Sequence, residues 1–502
     1  MSIEDQLREK IIQECDKLIL RHHEYHNYVH AEWLRSKARI KNTPAKVIQT
    51  PEYWQLDKKF NPFYVKSNAA AIAKSIAKKI ADNTYIPNDP FRKPIPKATG
   101  GSRELTIYQI PDAAVSKYFY SRLLAKNKHR FSSFSYAYRN DRNVHFAIQD
   151  ITVDLSLDAR AFIAEFDFSD FFGSIGHEYL YNQLHENGFL VSEEDEQIIR
   201  AFLSKREKGI PQGTSISLFL ANLVCWKLDK SLEKFGLKFA RYADDTIVWS
   251  PDYAAICKAF SIIESFSREA GVPINPSKSD GISLLARKGL TTEIASKEEF
   301  HFLGYSIGIS HVSIRDKAEK RIKKQISYLL YKNLVQPLRD TPLRGLVIPA
   351  NDRDKALLSA MMQIRRYLYG GLLNRDIVEY IRGRRRTLHF KGVMSFYPLL
   401  NDETQLRELD GWLLSVIHRC VQLRSKLLLS HRFDRRHSFP FSIKRHDIIE
   451  QYRRRRIGGK RLRLLEVPSF MLIYRALQRG LKESGIERVM HPESNKYTYN
   501  NN

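Results

Sequence analysis

The spacing of apolar positions changes along the chain, and with it the predicted element. Ala161-Phe-Ile-Ala-Glu-Phe166, Phe239–Tyr242 and Thr246–Trp249 are short runs rich in aromatic and β-branched residues, which predict strands. Between the last two lies Ala243-Asp-Asp245, a sequence a tight turn accepts, so Lys238–Ser250 predicts a β-hairpin with acid at its tip. Between Asn83 and Ile110 the Pro and Gly spacing predicts strand, turn, strand around Lys97–Arg103. Elsewhere the period is helical. Asn68–Ile80 is an Ala-rich helix, Tyr179–Ser204 holds helical segments, and Ser215–Lys234 is a helix burying Leu220, Leu223, Val224 and Leu228 beside core candidates Cys225 and Trp226. Tyr253–Ala270 is amphipathic. Beyond Gly308, Ala318, Ile322, Ile326, Leu329, Leu330 and Leu334 recur at helical spacing with Lys and Arg opposite, and Leu357–Arg385 and Leu406–Leu423 continue the helical pattern.

Two adjacent acids at a turn repel one another, so the arrangement costs stability unless solvent or a cation takes up the charge. A lone Asp-Asp pair is most often a solvated turn. A second acidic strand end changes that balance, because the run ending at Phe166 delivers Asp167 where it leaves the sheet, with Asp170 close behind. Carboxylates from two neighbouring strands facing one gap make a hard-oxygen site suited to Mg²⁺. Two such ions about 4 Å apart activate a 3′ hydroxyl and stabilise leaving pyrophosphate, the chemistry of nucleotidyl transfer.

Charge points the same way. With 82 Lys plus Arg against 56 Asp plus Glu, the 502-residue chain carries +26, which favours a polyanionic partner bound more weakly as salt rises. Its 43% hydrophobic content allows two or three domains. We find no apolar run of about 18 residues, no signal-peptide pattern and no lipidation motif, so no membrane partner is expected and the cytoplasm is the default location. Cys15, Cys225, Cys257 and Cys420 lack Cys-x-x-Cys spacing and read as reduced thiols rather than zinc ligands or disulfides.

Tyr242-Ala-Asp-Asp245 resembles the metal-binding hairpin of reverse transcriptases, and Phe166-Asp-Phe-Ser-Asp-Phe-Phe172 their first catalytic strand. Further blocks follow in the family's order from about residue 90 to 310: Pro94-Ile-Pro through Arg103-Glu-Leu, Pro111-Asp112, Ser135-Tyr-Ala-Tyr-Arg139, Gly209-Ile-Pro-Gln-Gly213, Ser217–Asn222, Ile274-Asn-Pro-Ser-Lys278 and Phe302-Leu-Gly-Tyr305. An ordered set is far more specific than any one motif. The resemblance implies an α+β right-hand polymerase, fingers and palm with an antiparallel sheet followed by an all-helical thumb and C-terminal region. Its boundaries fall at a helical N-terminal extension 1–82, fingers and palm 83–310, a thumb-like region 311–427 and a basic C-terminal region 428–502 with a polar tail.

Roles follow by resemblance. Asp167, Asp244 and Asp245, with the backbone of Phe168, hold two Mg²⁺ ions, for which Mn²⁺ can substitute, and Lys278 is a proton donor to pyrophosphate. Lys97, Arg103, Asp170, Phe171, Phe172, Gln212 and Gly213 surround the incoming nucleotide. Phe172, five positions past Asp167, is placed to clash with a 2′ hydroxyl and so favour dNTPs. Tyr136, Arg139, Phe302, Leu303, Gly304 and Tyr305 contact template and primer. The clusters holding Arg384, Arg385 and Arg386 and Arg453, Arg454 and Arg455 are expected to bind structured RNA. His22, His26 and His30 share a helical face but have no completing ligands, which reads as a polar stripe. The absence of Val-Thr-Gly and of a Cys/His endonuclease appendage makes the chain look most like abortive-infection and defence-associated enzymes, related to group II intron reverse transcriptases. That likeness implies phage defence, a non-coding RNA partner, a homo-oligomer, and priming candidates Tyr497 and Tyr499. The rival readings are an RNA-binding maturase or scaffold with a vestigial site and an RNA-dependent RNA polymerase.

Overall fold

The computed structural model describes residues 2–38, 40–96, 102–276, 279, 281–339, 355–457 and 459–489. Lys97, Lys278, Tyr497, Tyr499 and the side chain of Arg103 lie outside the described residues.

The first strands, β1 (Phe91–Pro96) and β2 (Ser102–Ile107), pair as a hairpin. A five-stranded sheet then organises the molecule. It comprises β3 (Arg160–Phe166), β4 (Lys238–Tyr242), β5 (Asp245–Ser250), β6 (Gly281–Ala286) and β7 (Ser296–Lys297), in the order β4-β5-β3-β6-β7. All pairings are antiparallel except β6 with β7. Side chains alternate between two cores. Ala161, Ile163, Ala240, Ile247, Trp249 and Leu285 face one; Ala164, Phe166, Phe239 and Val248 face the other. Because both faces are covered, β5 reads as an unbroken apolar run rather than as alternation.

The first core joins the sheet to the helix Val144–Leu155, to a small sheet of β8 (Phe300–Phe302), β9 (Tyr305–Ile307) and β10 (Val312–Ile314), and to the helix Asp316–Leu330. The same core continues through the helices Ala356–Tyr369, Glu403–Ser430 and Phe470–Ser484. The second core is built on the helices Ile110–Asn127, Ile216–Val224, Trp226–Lys234 and Tyr253–Ala270. The architecture is α+β, with antiparallel sheets and a helical C-terminal region.

Four expectations change. Ser215–Lys234 is two helices, parted at Cys225 (φ −80°, ψ −2°), and the second buries Asp229, a charge the hydrophobic period does not mark. The boundary placed at 427 falls inside Glu403–Ser430, because Leu406 through Leu428 form one continuous apolar seam. In the region expected to be all-helical, β11 (Arg456–Ile457) and β12 (Lys460–Arg461) form a short hairpin. Finally, the helix Ile3–Lys37 is no appendage. Leu7, Ile11 and Cys15 belong to the second core, while Glu32 meets Lys332 at 2.7 Å and the Lys332 ammonium donates to the Tyr28 hydroxyl at 3.0 Å. At roughly 50 Å, a helix this long spans from one core to the other.

The histidine face packs on rings, His22 against Trp54 and Phe63 and His30 stacked on Trp33 at 5.8 Å. Arg384, Arg385, Arg386, Arg453 and Arg454 are exposed, and Arg455 sits 4.3 Å over the Phe439 ring. Among the described residues, no helix is long and apolar enough to cross a membrane.

Candidate active site

β4 and β5 are joined by two residues, Ala243 and Asp244, with Tyr242 opposite Asp245. Ala243 has φ 61°, the positive value that the first loop position of a type II′ hairpin turn requires. On the other side of β5, Phe166 pairs with Thr246. Asp167 and Asp245 follow that last pair, one residue beyond Phe166 and one before Thr246, and both share the parity of Ile163 and Ile247. Asp244 occupies the turn at the same end. The Asp167 backbone is held from below, its carbonyl accepting from the Asn275 N–H at 2.8 Å and its N–H donating to Ser279 Oγ at 3.4 Å. The Phe168 ring lies in the core against Phe171 and Phe266.

Three acids at one sheet end repel unless charge is supplied to them. Among the described residues, no group of three or more His, Cys, Asp or Glu side chains is placed to hold a metal ion by itself. Mg²⁺ does not need one, since it keeps several waters and takes one or two carboxylates together with substrate phosphates. Asp245, exposed at the sheet end, and Asp244, half-buried in the turn beside it, fit that coordination habit, with Asp167 buried where β3 ends.

The loop Gly209–Gly213 is stitched to the turn that follows Asp167. The Gly209 N–H donates to the Ile175 carbonyl and the Ile210 N–H to the Phe172 carbonyl, both at 2.7 Å, and the His177 ring meets the Gly209 carbonyl at 2.8 Å. Gly213, at φ 105°, passes so close to β2 that a Cβ there would lie 2.2 Å from the Thr106 carbonyl oxygen. Gln212, the preceding residue, is thereby held beside the β1–β2 hairpin. Of the two adjacent phenylalanines, Phe171 is sealed in the core, whereas Phe172 is half-buried with its edge toward Tyr138, ring centres 6.5 Å apart. Asp170 is exposed at φ 45°.

Beside the hairpin lies a cleft of about 490 Å³ whose walls include Tyr138, Arg142, Tyr242, Leu303 and Tyr397. Leu303 and Gly304, at φ 49° and 89°, form the two-residue turn between β8 and β9. The turn presents Leu303 to the cleft, while the side chains of Phe302 and Tyr305 are buried beneath it. Tyr136 is likewise buried, donating to Asp150 at 2.6 Å, and Arg139 is braced by Asp141 and by the Ser132 carbonyl, so these two shape the cleft wall from behind. The Tyr305 hydroxyl donates to the Phe396 carbonyl at 2.7 Å and therefore accepts from His145 Nδ1 at 3.2 Å.

Burial pushes the His145 imidazole down to about 4. The unfolded chain binds this proton near its ordinary value, so stability is full above about pH 6.5 and falls as the pH drops toward 4. Between pH 7 and 4.5 the wild type is expected to lose about 2–3 kcal/mol more than His145→Phe, read by urea unfolding at both pH values. Equal losses in the two proteins would show that His145 does not carry the dependence.

Sequence reasoning missed what lies under the hairpin. Arg241 and Asp229 are fully buried and paired through two bonds of 2.7 and 2.6 Å. The remaining guanidinium donors reach the Ala243 carbonyl (2.9 Å), Ser135 Oγ (2.7 Å) and Asn222 Oδ1 (3.3 Å). One signal was available: Arg241 has the parity of Phe239, a core position, on a strand with no other inward charge.

Residues 95–307 match the family model described as reverse transcriptase (RNA-dependent DNA polymerase). This segment is a reverse transcriptase domain. It is less than half of the chain. Among curated proteins, the retron Ec86 reverse transcriptase of Escherichia coli is 27% identical over 208 residues, covering 35% of this chain and 63% of its own length. Protein YkfC of Escherichia coli K12 is 24% identical, covering 40% and 55%. A putative COX1/OXI3 intron 2 protein of Saccharomyces cerevisiae is 23% identical, covering 71% and 47%. The chain thus spans less than two thirds of each of these relatives. Among solved structures, telomerase of Candida albicans with a telomeric RNA fragment aligns over 77% of this chain and 74% of its own at 12% identity and a TM-score of 0.36. Apo telomerase of Candida tropicalis aligns over 76% and 72%, at 13% identity and the same score of 0.36.

Proposed function

We propose that this protein is an RNA-directed DNA polymerase that joins dNTPs at the sheet end carrying Asp167, Asp244 and Asp245. What supports this reading is the pairing of Phe166 with Thr246, the residues next to Asp167 and Asp245, within the segment matching the family. When bound there, Mg²⁺ would offset negative charge on the reacting phosphate and make the attacking hydroxyl easier to deprotonate. The chain's own part is positional. Asp167, Asp244 and Asp245 hold the negative edge, Gln212 is brought to the nucleotide by the Gly209–Gly213 loop, and Leu303 and Tyr242 line the cleft into which a growing strand would lead. The test is dNTP incorporation on an RNA template with Mg²⁺, wild type against an Asp244 variant. Incorporation that is equal in the two proteins would overturn the reading.

Phe172 is proposed as the residue that selects dNTPs, because it is the half-buried ring beside Tyr138 while Phe171 is consumed by the core. Phe172→Val is expected to raise the use of NTPs relative to dNTPs by about tenfold or more, the scale of removing one steric clash. An unchanged ratio in competition assays would rule out that role.

The basic surface supports a nucleic-acid partner, and the exposed Arg384, Arg385, Arg386, Arg453 and Arg454 are the proposed RNA contacts. A role in phage defence with a dedicated non-coding RNA rests on the sequence resemblance alone, as does a homo-oligomer. Sequencing the nucleic acids that copurify with the protein addresses the RNA partner directly.

A further inference from the structure

We infer that Arg241 is a positioning residue for the acid hairpin, fixing the peptide plane that carries Asp244. The inference rests on the polymerase reading for its catalytic consequence but on geometry for its substance. Arg241 lies on β4, two residues before the turn, and its backbone is bonded outward on both sides: its N–H donates to the Phe134 carbonyl and its carbonyl accepts from the Tyr136 N–H, each at 2.9 Å. The guanidinium reaches forward along the chain, and Nη1 donates to the Ala243 carbonyl at 2.9 Å. That carbonyl belongs to the planar Ala243–Asp244 peptide unit, so holding its oxygen fixes where the Asp244 Cα begins.

The contact also holds Ala243 at φ 61°, a region an alanine enters only at a cost. The other donors tie the same guanidinium to Asp229 on the helix Trp226–Lys234, to Asn222 on the helix Ile216–Val224, and to Ser135. Asn222 in turn donates to the Ala137 carbonyl at 2.9 Å, next to the cleft residue Tyr138. The helix Ile216–Val224 follows directly on the Gly209–Gly213 loop. One side chain therefore sets the height of the hairpin against the loop that brings Gln212 and against the segment that forms the cleft wall.

A lysine keeps the charge but not the fork. It can pair with Asp229, yet it has no second planar arm to hold the Ala243 carbonyl while doing so. A buried ion pair that served folding alone would be replaceable by apolar residues of similar volume, often without loss of stability. These two facts give the experiment. Arg241→Lys and the double variant Arg241→Met/Asp229→Leu are compared with wild type for melting temperature, for hydrogen exchange of the amides at 242–246, for Mn²⁺ binding followed by loss of the free-ion paramagnetic resonance signal, and for kcat and KM with dTTP.

The double variant is expected to melt near the wild type. Its hairpin amides should exchange about tenfold faster, its Mn²⁺ midpoint should rise about tenfold, and kcat should fall about a hundredfold with KM within about threefold, as a misplaced catalytic group predicts. Arg241→Lys should move in the same direction. A double variant that melts normally and keeps wild-type exchange at 242–246, Mn²⁺ midpoint and kcat overturns the inference and leaves the pair a folding device. Should the wild type itself incorporate no dNTP, the polymerase reading falls, while hairpin exchange still decides the role of Arg241.

Discussion

Asp244→Ala is expected to lower dNTP incorporation by about a thousandfold or more, since a metal-held electrostatic contribution of several kcal/mol is lost with one ligand. Stability should barely change. Asp244 is half-exposed at a two-residue turn, so its removal opens no cavity and relieves repulsion from Asp245 and Asp167. RNA binding should be unchanged or slightly tighter, because the substitution removes a negative charge from a +26 chain. The three measurements are primer extension, thermal melting and filter binding on one preparation. Retained synthesis in the substituted protein would mean that the hairpin does not hold the reacting groups. Parallel loss of synthesis and melting temperature would mean that Asp244 serves the fold instead.

Gly213→Ala carries the second large effect, and it works through backbone position alone. The added Cβ would meet the Thr106 carbonyl oxygen at 2.2 Å, and φ 105° is a conformation that alanine rarely adopts. Neither neighbour yields easily, because Thr106 is part of the β1–β2 ladder and the loop's other end is bonded to Ile175 and Phe172. The loop must therefore lift from β2. A displacement of about 1 Å in a substrate-positioning segment costs on the order of a hundredfold in rate, so kcat/KM for dNTPs should fall by that factor. The melting temperature should drop as well, with a cost of about 1–3 kcal/mol from the strained backbone. RNA affinity should hold, since the described basic clusters lie elsewhere. Wild-type kinetics with a folded Gly213→Ala protein would show that the loop does not carry Gln212 to the nucleotide.

The two substitutions separate charge from placement. Asp244→Ala removes chemistry at little structural cost, whereas Gly213→Ala leaves every polar side chain intact and shifts where one of them stands. The His145 titration adds a third, remote dependence: its proton-poor site under Tyr305 ties the helix Val144–Leu155 to the segment ending at Phe396. Acid weakens that joint at a pH where the exposed carboxylates still carry charge.

Much of the site was readable before any fold was known. The apolar runs flanking Ala243-Asp-Asp245 specified a hairpin because aromatic and β-branched residues suit a pleated surface, and the observed β4 and β5 differ from them by a residue at their ends. Asp167 at a strand end followed from the same kind of run. Sequence also separated a mixed body from a helical C-terminal part, because strand-like runs alternate with helical spacing before Gly308 and only helical spacing is read beyond it.

Three things only the tertiary structure decided. Periodicity cannot tell which of two adjacent rings is core, and it took the packing of Phe168, Phe171 and Phe266 to leave Phe172 beside Tyr138. Nor does a strand's own pattern fix its register with another, so the pairing of Phe166 with Thr246, next to Asp167 and Asp245, emerged only with the fold. Most of all, a buried charge is defined by partners far away in the chain. Arg241, Asp229, Asn222 and Ser135 come from separate stretches of the chain, and only the fold brings them together. Local sequence encodes which way a side chain points; long-range packing sets what it meets there.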